Sequence, residues 1–153
     1  MTAPLKDYEI VLGKYLAALI SLLSMLIPTA YIVVLLMWFG TPDFGPVLSG
    51  YLGLTLYGMA TLSVGLFASS LSSNQIVAAA VAMGLLLILS IIDLASSYLS
   101  DTFTIIVLQI SITSHFEDFT KGIIDTHNVV YYMIFTAFLL FLTIRSLESR
   151  RWR

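Results

Sequence analysis

A chain of 153 residues that is 59% hydrophobic and only 10% charged lies outside the range of soluble domains, which are roughly 45–50% apolar and about 25% charged. Its mean hydropathy of +0.98 marks an integral membrane protein, and the absence of cysteine excludes a disulfide-built scaffold or a thiolate metal site. Seven Lys/Arg against nine Asp/Glu give a net charge of -2 and no basic face, so nucleic acid is excluded as a partner.

The first element is amphipathic. From Pro4 to Lys14 the residues Leu5, Tyr8, Leu12 and Tyr15 recur at helical spacing, with Lys6, Asp7, Glu9 and Lys14 elsewhere around the helix. Pro4 suits a first turn, Asp7 favours a helix N-terminus, and Thr2 is a candidate cap. Periodicity allows either a membrane-surface anchor or a docking helix for a partner.

Residues 15–39 form the first predicted span, interrupted only by Pro28 and closed by Gly40, Pro42 and Gly45. At about 37 Å it exceeds the roughly 30 Å hydrocarbon core and can tilt or kink at Pro28. It is also too long for the apolar part of a signal peptide. Residues 47–69 form span two. Within it Gly50, Gly53, Gly58, Thr61, Gly65 and Ala68 fall within about 140° of one another, a small-residue stripe against which another helix backbone should press, within one chain or across a dimer.

The cluster Ser69, Ser70, Ser72, Ser73, Asn74 predicts a tight hairpin leading to span three, residues 76–98. Asp93 is the one ionisable group inside a span and hence the weak candidate for a substrate path. It lies about 26 Å from the start of its helix, near an interface, and an interfacial role is expected.

Residues 103–125 should not span. An apolar stretch from Phe103 to Ile112 is too short, and residues 114–128 carry six ionisable side chains. This insertion reads as re-entrant or interfacial helices, with Phe116, Phe119, Ile123 and Ile124 on one face, Ser114 as a cap, and Glu117 and Lys121 spaced as an i,i+4 pair. Span four covers residues 128–146, with Asn128 and Arg145 at its interfaces, and 145–153 form a basic tail. Six of the seven Lys/Arg flank the two termini, so both termini are expected in the cytoplasm. The expected fold is all-α and polytopic: one four-span domain over residues 1–153.

No catalytic constellation accompanies this pattern. A nucleophile elbow, a His-Glu-x-x-His helix and a phosphate-binding loop are missing; Gly13-Lys14 lacks the upstream glycine and the following hydroxyl. His115 and His127 are not spaced as metal ligands on one helix and lie outside the spans, where a haem-binding pair would not sit. No catalytic residue, metal or cofactor is therefore assigned, and a membrane cytochrome or metal enzyme on these histidines is the weakest alternative.

Three stretches carry a family resemblance: Thr2 through Lys14, Gly65-Leu-Phe-Ala-Ser-Ser-Leu-Ser-Ser-Asn-Gln-Ile-Val-Ala-Ala80, and His115-Phe-Glu-Asp-Phe through Arg145-Ser-Leu-Glu-Ser-Arg-Arg-Trp152. They resemble the C-terminal two-thirds of the permease of a type-2 ABC exporter, in the gliding-motility-associated group. The resemblance implies a six-span permease acting as a dimer, with a cytoplasmic helix before the third span docking on a separate ATPase subunit and short outer helices before the last span. Pro4, Leu5, Lys6, Asp7, Tyr8 and Glu9 match the docking position, and residues 103–124 the outer helices. The family's first two spans have no counterpart here, so a fragment, a late gene start, or a split permease completed by a further chain is expected. The alternative function is a non-transporting four-helix scaffold or a truncated remnant, anchored to anionic lipid by Arg150, Arg151 and Arg153.

Overall fold

A computed structural model describes residues 4–152, all of whose regular elements are helices. Span one is built from α1 (Asp7–Leu26) and α2 (Ala30–Phe39), joined by a tighter 3-10 turn at Ile27–Thr29. Pro28 causes that turn, since it lacks an N–H and its ring crowds the carbonyl of the preceding turn. The continuous segment is 33 residues long. Its start is fixed by Glu9, whose carboxylate accepts from the Lys6 backbone N–H at 3.0 Å, with Asp7 and Glu9 placed favourably in the first turn.

This corrects two sequence expectations. Pro4, Leu5 and Lys6 precede the helix, and Asp7, Tyr8 and Glu9 form the first turn of the span itself; the expected capping by Thr2 falls outside the described residues. The buried face is Val11 and Tyr15, with Asp7 beside it, while Leu5, Tyr8 and Leu12 are exposed. The reason is the partner: α1 lies on two neighbouring helices through a narrow i,i+4 stripe, narrower than the apolar arc that composition suggests.

Span two, α3 (Phe44–Leu71), opens with Asp43, whose carboxylate accepts from Gly45 N at 3.2 Å. Span three, α4 (Gln75–Ser96), opens with Asn74 accepting from Ile76 N at 2.9 Å. Both are Asx caps, and the hairpin between them occupies only Ser72–Asn74. Span three ends at Ser96, ahead of the expected Tyr98, because the Tyr98 N–H turns back to the Ala95 carbonyl. Two short helices follow, α5 (Asp101–Ile110) and α6 (Ile112–Thr120). Ser111 separates them in an extended conformation, and its hydroxyl, rather than that of Ser114, caps α6 by accepting from Ser114 N.

The end of α6 is a Schellman stop: Gly122 N bonds to Phe119 O and Ile123 N to Asp118 O, with Gly122 at φ +85°. Gly122 also lies against the Pro46 ring, where a Cβ would approach to 3.2 Å, so both conformation and space require glycine. Ile123 and Ile124 therefore leave the helix and stay exposed, while Phe119 is buried and Phe116 half-buried. Span four, α7 (Thr126–Arg151), is capped by Asp125 and runs through most of the expected tail, since nothing from Arg145 to Arg151 breaks a helix and Arg145 pairs with Glu148 at 3.3 Å.

Helix α3 is the axis of the bundle and touches α1, α4, α6 and α7. Its small residues allow that. At Gly53 an added Cβ would come within 2.5 Å of Phe119, and at Gly58 it would strike the Leu22 side chain of α1. The enclosed core is Leu56, Ala60, Ile112, Phe119 and Tyr132, from α3, α6 and α7. The bundle thus has two distinct ends. At one, Asp7 of α1 pairs with Arg151 of α7 at 3.9 Å and Ser146 bonds to the Ser70 carbonyl of α3. At the other, α5 and α6 cover the ends of α3, α4 and α7. Elsewhere the long helices present Leu, Ile, Met and Phe outward, as a lipid-facing surface does.

Candidate functional site

The far end, opposite both termini, holds the densest polar and aromatic cluster of the described residues. Helix α6 supplies His115 and Asp118, and α7 supplies His127, Asn128, Tyr131 and Tyr132, at i, i+1, i+4 and i+5 so that they share one face. Asn128 donates to Asp118 Oδ2 at 2.9 Å, Tyr131 donates to the Ile110 carbonyl, and Tyr132 donates to the Ile112 carbonyl. The latter two bonds clamp the break between α5 and α6 onto span four. Asp93 enters from span three, accepting from the Ser111 hydroxyl at 2.9 Å. The same hydroxyl caps α6, so a single buried serine ties span three to the short helices. Asp93 therefore has a structural partner at the end of its span, near the expected interface.

His115 is the centre of this cluster. It is 5% exposed, and its ring lies parallel to Tyr131 with centroids 3.8 Å apart and to His127 with centroids 5.7 Å apart. Its Nδ1 sits 2.7 Å from the Ser111 carbonyl. A carbonyl can only accept, so Nδ1 carries the hydrogen and the neutral ring keeps its lone pair on Nε2. Burial pushes the imidazole pKa down from 6.5; the Ser111 bond opposes that shift, His127 adds to it, and Asp118 opposes it.

The two histidines are twelve positions apart, a separation no single helix brings together, and they meet because α6 folds back on α7. Among the described residues no three His, Asp or Glu side chains converge as a metal site. Two cavities border the cluster. One, of about 340 Å³, is lined by Ser114, His115, Asp118, Asp125 and Asn128; the other, of about 570 Å³, runs down α7 past Val130, Ile134 and Phe138. Both are also lined by Gln109 and His127.

The other sequence-level candidates lie elsewhere. Pro4, Leu5 and Lys6 lie outside any helix and are exposed at the end that carries both termini, where Lys6 Nζ sits 5.7 Å above the Tyr8 ring. Asp7 turns inward to Arg151, and Glu9 serves the helix start. The stripe on α3 divides: Gly53, Gly58 and Ala68 are buried, and Thr61 is half-buried with its hydroxyl on the Gly58 carbonyl, whereas a Cβ at Gly50 or Gly65 would meet nothing within 4 Å. Comparison of the chain with family models, with curated proteins and with solved structures finds no match.

Proposed function

We propose that this chain is a membrane-spanning permease subunit of an ABC exporter, driven by ATP hydrolysis on a separate ATPase subunit, with both termini in the cytoplasm at the inner (plasma) membrane. The observation that carries the reading is the pair α5 and α6: two short helices set over the far end immediately before the last span, where the sequence resemblance calls for outer helices. The excess of Lys and Arg at the opposite end supports the orientation.

In this reading the exposed Pro4–Lys6 segment and the first turn of α1 receive the ATPase. A push there reaches two spans at once, since Asp7 and Arg151 link the first and last. For nucleotide to drive the spans, the ATPase must contact this element differently in its open and closed states. A second copy of the permease completes the transporter, with the open positions Gly50 and Gly65 on α3 available for close helix approach; a further chain would supply any additional spans.

The test is co-expression with an ABC ATPase from the same genome, an adjacent reading frame being the first candidate. Wild type is expected to retain the ATPase through purification and to raise its ATP hydrolysis in proteoliposomes, and Tyr8→Glu, which alters an exposed side chain, is expected to abolish both. An ATPase that is not retained, or whose hydrolysis ignores the membrane subunit, would overturn the proposal.

A further inference from the structure

The two cavities at the far end share Gln109 and His127 and differ sharply in lining. The upper, smaller one sets the polar side chains of α6 and of the start of α7 beside Ile105 and Leu108. Asn128 gives one amide N–H to Asp118 and the Ser114 hydroxyl is committed to the Leu108 carbonyl at 2.7 Å, so the second Asn128 N–H, the Gln109 amide and the His127 ring are the remaining donors beside the carboxylates of Asp118 and Asp125. The decisive atom is His115 Nε2. With Nδ1 held by the Ser111 carbonyl, Nε2 is an acceptor, and no protein group among the described residues donates to it. It is also not one of the sealed, unpartnered atoms, of which Thr136 Oγ1 is the single case among the described residues, so it opens on the space that His115 lines. A side chain that is nine-tenths buried therefore presents a lone pair to a cavity bearing two carboxylates and no lysine or arginine.

The lower cavity is apolar. From Val130 to Phe138 it follows about 12 Å of α7 toward the membrane interior. We infer that this groove between α5 and α7 binds an amphiphile with a primary ammonium head and an unbranched alkyl tail, the head donating to His115 Nε2, Asp118 and Asp125 and the tail lying along Val130, Ile134 and Phe138. Charge complementarity selects the head. An ammonium supplies three donors and a positive charge to a site offering acceptors and negative charge, whereas a phosphate or sulfate head would face two carboxylates. A quaternary ammonium carries the charge without a hydrogen for Nε2. The binding requires neither an ATPase nor a second copy, so it stands or falls separately from the transport reading.

The chain contains only two histidines, which makes the ring nitrogens a direct reporter. The protein is labelled with 15N-histidine, placed in phosphatidylcholine nanodiscs, and titrated with dodecylammonium. The expected result is a saturable shift of the His115 Nε2 resonance, with Asp118→Asn and Asp125→Asn each weakening binding roughly tenfold or more. Asn caps a helix as well as Asp, so Asp125→Asn keeps the start of α7 and decides the matter even if Asp118→Asn does not fold. Dodecanol and dodecyl sulfate should give no saturable shift, dodecyltrimethylammonium a weaker one, and methylammonium, which lacks a tail, should bind at least roughly tenfold more weakly. A shift that fails to saturate, one that dodecanol reproduces, or an affinity that Asp125→Asn leaves unchanged would each overturn the inference.

Discussion

His115 shows how a single residue acquires a character that its neighbours in sequence do not foretell. Its imidazole is stacked between groups of α7, faces His127, Asp118 and, through Ser111, Asp93, and is easier to keep neutral than to charge. Because its folded pKa lies below the ordinary value of 6.5, the unfolded chain binds the extra proton more readily. The His115 contribution is therefore complete above that value and declines as pH falls through it toward the folded pKa. Thermal unfolding in detergent from about pH 8 to about pH 5 should show a loss of stability on the acid side, and His115→Phe should flatten that loss. A wild-type profile identical to that of the variant would contradict this assignment. The spacing of Glu117 and Lys121 did reveal their ion pair, 3.8 Å apart, because both partners sit on one helix. Spacing could not reveal the His115–His127 stack, which depends on where α6 lies against α7.

At the scale of elements, local chemistry was the more legible part. Asp43, Asn74 and Asp125 each stop a loop and start a span, and Pro28 and Gly122 act where their geometry demands. The small-residue stripe on α3 was visible as periodicity, but its partners were not, and the partners decide its energetics. At Gly53 the obstacle is the Cβ and Cγ of Phe119, held close to the α6 backbone, whereas Gly50 and Gly65 face open space. Gly53→Ala should therefore lower the unfolding temperature, by an overpacking cost of about 1–3 kcal/mol, while Gly50→Ala and Gly65→Ala leave it unchanged or slightly higher. Equal effects at all three positions in a thermal-shift series would show that α6 does not pack on α3 in this way. The first element was misread for a related reason. Helix α1 has exposed apolar residues on several sides, and only the identity of its neighbours selects Val11 and Tyr15 as the buried pair.

For the whole molecule, composition and hydropathy made the class plain: four apolar helices long enough to cross a membrane, with a non-spanning insertion between the third and fourth. What they could not convey is that the insertion folds back to join the core through Phe119 and Ile112. The ATPase-docking reading rests on the two ends of this bundle facing opposite sides of the membrane. The chain has no cysteine, so each introduced thiol is unique. The most direct measurement is labelling of single-cysteine variants in intact cells with a membrane-impermeant maleimide, at the exposed positions Lys6, Ser73 and Arg150 on one end and Thr41 and Ile124 on the other. The account predicts that Thr41→Cys and Ile124→Cys react in intact cells, and that Lys6→Cys, Ser73→Cys and Arg150→Cys react only after the membrane is opened; labelling of Ser73→Cys and Ile124→Cys from the same side would contradict it.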